Sequence, residues 1–421
     1  MPITGKVDTT HKLNVSLLST QLAKEAWWST FWAKLAGFQE ITNLNGIRQT
    51  NPASNVVLQV VRDFVQEGRD NMLMAMIEPL KEDPIYGDTW LKGTGETVGL
   101  KYQRIYINQV RKAVTKLAGH MSNQRLKSFK LMEKAMPSLV EYWSKWQNAA
   151  LFETMYLGLS PQLTAGKSYD GVGMKARLHP NQYIYNASSV LAPIGSEFHT
   201  KTAAEMSAGI KLAAKPVDAD FLYQLNILVK TNLLIEPIVT EDGTPFWFLL
   251  VHPQSMRNFK KDNTIMSVQN SAFAQQLGKH PAIKGRDYLY FDGFVMVEER
   301  TGTRTLKLAG VTDVYAELAG ANGWMKPPAF VKGTDSTSML LLGRDALGLG
   351  IAQNLLYTEE VDDHENVIEI GSRMIQGANR NEYFGAKDEK EIYAVGSEER
   401  AVLDTAYKAS NQGSAIVWTK E

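Results

Sequence analysis

The sequence predicts an α+β fold in which a long projecting β-hairpin runs directly into a long amphipathic helix, followed by a mixed, strand-rich remainder. Three observations predict it. Met72, Met74 and Met76 recur at every second position, and beyond a turn-rich stretch Val98, Leu100 and Tyr102 alternate with polar or small neighbours, the period of a strand. After Arg111 the period lengthens: Phe129, Met132, Met136, Leu139, Val140, Trp143, Trp146, Ala150, Thr154 and Leu157 recur at three and four, giving one apolar helical face. Later, short apolar runs bounded by Gly and Pro read as strands.

Taken in order, the chain begins with Leu13, Leu17, Leu18, Leu22, Trp27, Phe31, Trp32, Leu35 and Phe38 at helical spacing, predicting an amphipathic helix or a broken pair through residue 40. Three destinations suit this apolar face: the chain's own core, a neighbouring subunit contacted through Trp27 and Phe31, or a membrane surface. The last is disfavoured because the polar face lacks a Lys/Arg cluster. Asn51-Pro52-Ala53-Ser54 breaks the chain before a strand at 56–61. Asp83-Pro84-Ile85-Tyr86-Gly87-Asp88 and Gly93-Thr94-Gly95-Glu96 form the turns of the hairpin. Pro137 kinks or restarts the long helix.

Residues 160–216 read as loop-rich, with Pro161, Pro180 and Pro193, and contain a capping box at Thr202-Ala203-Ala204-Glu205 that starts a short helix through residue 214. Asp218 caps another helix whose buried face is Leu222, Leu225, Leu228 and Val229. Strands follow at 246–251, between Gly243-Thr244-Pro245 and Pro253, and at 288–298, broken by a turn at Asp292-Gly293. Residues 339–352 are small and apolar, 359–365 form an acidic segment, and 367–370, 392–395 and 415–418 read as strands. There is no internal repeat and no low-complexity segment.

Composition narrows the function classes. Lys and Arg total 45, as do Asp and Glu, so the formal net charge is zero; this disfavours non-specific nucleic-acid binding and attachment to an anionic membrane and suits self-association. The absence of cysteine rules out disulfides, thiol nucleophiles and thiolate metal sites. Residues 1–10 are polar and predict no signal-peptide core, and the apolar runs at 246–251 and 339–342 are too short to cross a bilayer.

The near-motifs for chemistry are incomplete. Ala165-Gly166-Lys167-Ser168 ends like a phosphate-binding loop, but the glycine needed five positions before Gly166 is Pro161, and a helix precedes it. Gly348-Leu349-Gly350 and Gly93-Thr94-Gly95 lack the strand-turn-helix setting of a dinucleotide site and read as turns or close packing. His364-Glu365 starts like a zinc-protease helix, yet Ile368 occupies the place of the second histidine. Asp362, Asp363, His364 and Glu365 have the oxygen donors of a hard-cation site, but a solvated loop or an inter-subunit ion-pair surface explains them more simply. No catalytic, cofactor or metal residue is therefore assigned.

The order of short motifs over residues 31–384 resembles the major capsid proteins of tailed bacteriophages, those similar to the coliphage N-four coat protein, which adopt the Hong Kong 97 capsid fold. The resembling pieces are Phe31-Trp32-Ala33-Lys34-Leu35-Ala36-Gly37, Gly68-Arg69-Asp70, Val110-Arg111-Lys112-Ala113-Val114 and Val251-His252-Pro253-Gln254. They continue with His280-Pro281-Ala282-Ile283-Lys284-Gly285, Tyr290-Phe291-Asp292-Gly293, Leu341-Leu342-Gly343-Arg344-Asp345-Ala346 and Glu359-Glu360-Val361-Asp362.

This resemblance implies an N-terminal arm at 1–68, an extended loop at 69–111, a peripheral domain with its spine helix at 112–215, an axial domain at 216–365 and a return to the peripheral domain at 366–421. It also implies a homo-oligomer of hexamers and pentamers closing an icosahedral shell around double-stranded DNA. The DNA would be held without sequence specificity. Portal, scaffolding or decoration proteins would be partners, no membrane would be involved, and assembly would take place in the host cytoplasm. A two-stranded ribbon is marginal alone in water, so the hairpin makes physical sense if it lies across a neighbour. Ile85, Tyr86, Trp90 and Leu91 near its tip are then the expected inter-subunit contacts, with Trp27 and Phe31. The alternative readings are a metal- or nucleotide-dependent α/β enzyme and a nucleic-acid-binding module.

Overall fold

A computed structural model of the chain describes residues 12–38, 40–44, 47–51, 55–61, 71–77, 100–117, 131–157, 183–186, 191–193, 217–233, 235–240, 243–269, 287–299, 305–306, 336–362, 367–380 and 413–420. Helix α1 (Lys12–Trp28) gives way to a single 3-10 turn (Trp32–Leu35). The break is chemical. The Thr30 hydroxyl donates to the Trp27 carbonyl at 2.7 Å and accepts from the Ala33 amide at 3.2 Å, so it ends one helix and starts the next. Of the two alternatives read from the sequence the broken form occurs, but its second member is one turn long and gives way to strand at Ala36.

The chain then builds a five-stranded sheet from β1 (Ala36–Phe38), β4 (Leu58–Val61), β7 (Asn108–Leu117), β16 (Leu347–Asp362) and β17 (Val367–Arg380), in the order β1-β4-β16-β17-β7. Among the described residues, strands β2 (Glu40–Leu44) and β3 (Ile47–Asn51) pair only with each other, as do β5 (Asn71–Ile77) and β6 (Leu100–Tyr106). The latter pair is the hairpin read from the sequence, running from Asn71↔Tyr106 to Ile77↔Leu100. The spine, α2 (Leu131–Leu157), continues through Pro137.

A nine-stranded sheet forms from β8 (Tyr183–Asn186), β9 (Leu191–Pro193), β10 (Ile238–Val239), β11 (Pro245–Val251), β12 (Tyr288–Phe291), β13 (Phe294–Glu298), β14 (Thr305–Leu306), β15 (Ser336–Leu342) and β18 (Ser414–Lys420). Its helices are α3 (Ala219–Leu228), α4 (Pro253–Lys261) and α5 (Asn263–Gln269). Side chains in a strand alternate between faces, and here both faces are covered. Phe246, Phe248 and Leu250, with Val295, Leu340, Leu342 and Ile416, join one core with Ala150, Leu151 and Phe152 of the spine and with Leu58, Val60, Leu347 and Leu349 of the five-stranded sheet. Trp247, Leu249 and Val251 point the other way, into a second core with Phe221, Leu222 and Leu225 of α3, Phe259 of α4 and Ile265 of α5. This is why 246–251 is apolar without interruption.

Several expectations change. Residues 112–117, assigned to the start of the spine helix, are strand: Lys112, Ala113 and Val114 pair with Ser372, Gly371 and Ile370. Sheet membership switches at residues 343–346, between β15 and β16, so the stretch 347–362 expected in the axial part pairs instead with β4 and β17. Glu359 and Glu360, the start of the acidic segment, continue β16 opposite Ile370 and Glu369. Gly348 and Gly350 lie inside β16, paired with Asn379 and Gly377, and not in a turn. The strands read at 246–251, 288–298 and 415–418 form, as does the helix capped by Asp218, whose carboxylate accepts from the Phe221 amide at 2.8 Å. The capping box at 202–205, the strand at 392–395, the loop motif at 165–168 and His364-Glu365 lie outside the described residues.

Candidate functional site

The surfaces that bear on self-association start from α1, the spine helix and the root of the β5–β6 ribbon. Helix α1 is fastened to its own chain. Leu22 and Ala26 are fully buried against Leu139 and Trp143 of the spine and Leu355, Tyr357, Ile370 and Met374 of β16 and β17. The Tyr357 amide donates to Ser19 Oγ at 2.9 Å, and the Ser29 and Ser144 hydroxyls meet at 2.7 Å.

Of the two aromatic contact residues expected here, Phe31 is corrected by its surroundings. It is 2% exposed, stacks on Phe152 at 6.0 Å between ring centroids and meets Trp32 edge-on at 5.7 Å. Its own chain encloses the ring, so it has no face to offer a neighbour. Trp27 is partly buried, beside Trp146, Gln147, Leu151, Leu349 and Gln376. Trp28, which the sequence reading passed over, is 57% exposed. Helical phase is the signal for it: with Leu22 and Ala26 inward, Trp28 falls on the outer side.

The spine helix shows the same two-sidedness. Its inner face carries Leu139, Trp143, Ala150 and Leu151, all buried, with Trp146 partly buried. Trp143 donates its indole N–H to Ser372 Oγ at 2.7 Å, and Gln147 donates to Gln376 Oε1 at 3.2 Å, so polar side chains on β17 fix the helix position. Its outer face presents Tyr142, with Lys112 Nζ 5.0 Å from the ring centroid, and the exposed pair Glu141–Lys145 at 2.6 Å. The hydrogen bond and charge of Lys145 hold the Glu141 carboxyl below its usual range, and burial raises the Tyr142 hydroxyl above its own. On α3, Tyr223 and Ile227, four apart, are exposed while Leu222, Leu225 and Leu228 are buried.

The ribbon is rooted at Ile105, fully buried with Val61 and flanked by Ile107 and Ala352. Its far end opens at Ile77 and Leu100 into residues 78–99, which carry Ile85, Tyr86, Trp90 and Leu91 and lie outside the described residues. Among the described residues no group of three or more His, Cys, Asp or Glu gathers as a metal site, and no helix is long and apolar enough to cross a membrane.

Comparison with known proteins places this arrangement. The model of the phage capsid protein family matches residues 14–390. No curated protein matches in sequence. Among solved structures, the capsid of Ralstonia phage GP4 is similar at TM-score 0.57 and 15% identity, with 87% of this chain and 88% of that chain covered. The cyanophage Pam1 capsid asymmetric unit is similar at 0.56 and 15%, covering 93% and 92%. The capsid of Helicobacter pylori bacteriophage KHP30 is similar at 0.54 and 9%, covering 94% and 91%. At these identities the likeness is one of fold, and the family match supplies the rest: the chain belongs to the phage capsid protein family, and its function is that of a major capsid protein.

Proposed function

We propose that this chain is the coat subunit of a tailed phage, of the kind similar to the coliphage N-four coat protein, and that it builds an icosahedral shell of hexamers and pentamers around double-stranded DNA. In this reading the fold is of the Hong Kong 97 type. The arm covers residues 1–68, the extended loop 69–111, the peripheral parts 112–215 and 347–421, and the axial part 216–346, its end drawn back to the crossover between the two sheets. The protein acts by contact rather than catalysis, and assembly in the host cytoplasm, with portal, scaffolding or decoration proteins as partners, belongs to the same proposal.

The observation that carries it is the β5–β6 ribbon, seven residue pairs long, which among the described residues joins neither larger sheet and is rooted through Ile105. Such a ribbon is marginal in water, and a neighbouring subunit beneath residues 78–99 supplies the missing burial. Ile85, Tyr86, Trp90 and Leu91 then bury apolar area worth about 25 cal/mol per Å². Trp27 contributes from α1. Electron microscopy of the purified protein tests this: capsomers or closed shells are expected, and a strictly monomeric protein at every concentration and salt overturns it.

A further inference from the structure

The chain crosses from the nine-stranded to the five-stranded sheet between Leu342 and Leu347, and the crossover is bonded to three separate segments. The Gly343 amide donates to Gly413 O at 2.7 Å, the Arg344 amide to Glu236 O at 2.9 Å and the Asp345 amide to Val56 O at 2.8 Å. Side chains repeat the connection. Gln59 of β4 donates its amide N–H to Asp345 Oδ1 at 2.6 Å; Arg344 is ion-paired with Glu236, and its Nε lies 3.5 Å from Asp345 Oδ2. Asn55, just before β4, accepts from the Val239 amide of β10 at 2.6 Å and donates to the Val239 carbonyl.

Two carboxylates therefore share one guanidinium at the seam between the sheets. The Asp345 side chain is 18% exposed and the Glu236 side chain 27% exposed, so water solvates neither fully. We propose that Gln59, Glu236, Arg344 and Asp345 form a proton-binding clasp between the two sheets, in which the mostly buried Asp345 carboxylate is poorly solvated when ionised and better accommodated when it takes up a proton. The proposal goes beyond the assembly reading and does not depend on it.

Among the described residues, the groups that act on Asp345 include Gln59 from β4, Arg344 from its own turn and Glu236 from the segment before β10. Burial pushes the Asp345 carboxyl above its usual range, the Gln59 and Arg344 contacts pull it back, and the Glu236 charge pushes it up again. A carboxyl whose affinity for the proton is higher in the folded state stabilises the fold at acid pH. Its contribution is complete below the unfolded-state value and is lost as pH rises through the raised folded value. The backbone permits a clean test, because Asp345 sits at φ 56°, a region that Asn adopts as readily as Asp. Asn mimics the neutral carboxyl: its oxygen can still accept from Gln59, and its amide supplies the donor that a protonated carboxyl would.

The experiment is a set of thermal melts of the full chain from about pH 8 to about pH 4.5, spanning the carboxylate range and above, on the native protein, Asp345→Asn and Glu236→Gln. Asp345→Asn should melt higher than the native protein at the alkaline end, by about 1–3 °C, and the two curves should converge on acidification. Glu236→Gln, which removes the like charge, should move that convergence to lower pH when Asp345→Asn is added to it. Parallel profiles for the native protein and Asp345→Asn, or an Asp345→Asn protein that is unfolded at every pH, would overturn the clasp. An unmoved convergence in the Glu236→Gln background would overturn the part given to Glu236.

Discussion

The indole N–H of Trp143 donates to the hydroxyl of Ser372 at 2.7 Å, joining the spine helix to β17 across 229 positions of sequence, and the Ser372 hydroxyl in turn donates to the Lys112 carbonyl of β7 at 3.0 Å. Helix, inner strand and edge strand thus meet at one hydroxyl. Trp143→Phe keeps most of the apolar volume and removes only the donor, costing about 1–2 kcal/mol, whereas Trp143→Ala also opens a cavity and costs about 3–5 kcal/mol. Urea denaturation of the two variants should resolve them in that order. Trp146, which is only partly buried, should cost less on truncation than Trp143.

At Gly343 the chain passes close against another stretch of backbone. A Cβ there would lie 2.4 Å from the Glu236 carbonyl oxygen and 2.4 Å from Ile235 Cγ2. Backbone cannot swing aside as a side-chain tip can, so Gly343→Ala should destabilise by more than about 3 kcal/mol, at the upper end for overpacking. The measurement is the fraction of soluble, cooperatively melting protein; a variant that melts like the native chain would show that the two sheets are free to separate at this seam.

Asp262 links α4, α5 and the start of α3. Its carboxylate accepts from the Ala219 amide at 2.8 Å and the Thr264 amide at 2.9 Å. Partial burial pushes this carboxyl up, but the backbone amides of Ala219, Thr264 and Ile265 outweigh that and leave it below its usual range. Its contribution is therefore present above the unfolded carboxylate value and lost as pH falls through the lower folded value, opposite in sign to Asp345. Asp262→Ala should cost about 1–2 kcal/mol near neutrality, and the gap to the native protein in denaturant midpoint should close in acid.

Much of the fold was legible where local pattern and tertiary structure agree. The uninterrupted apolar run at 246–251 became β11 because Phe248 and Leu249 face two different cores. The Asp218 cap and the face of Leu222, Leu225 and Leu228 were readable because capping and helical phase are local. The start of the spine helix was misplaced for a definite reason. Val110 and Val114 are four apart, which is one turn of helix but also two steps of strand, and only pairing with Met374 and Ile370 decides between them. The burial of Phe31 depends on Phe152, and the clasp depends on residues 59, 236 and 345 meeting; neither relation leaves a trace in sequence spacing.

The most direct test of the account is to shorten residues 85–95 to an Asn-Gly turn, which favours a tight hairpin, and to follow folding and assembly on one preparation. If residues 78–99 reach across to a neighbouring subunit, Ile85, Tyr86, Trp90 and Leu91 contribute little to their own core. The circular dichroism and melting temperature of the soluble subunit should then match the native chain, while negative-stain microscopy shows no shells, only subunits or small oligomers. Normal shells from the shortened chain would contradict the extended-loop assignment, and an unfolded subunit would place this segment in the core of its own chain.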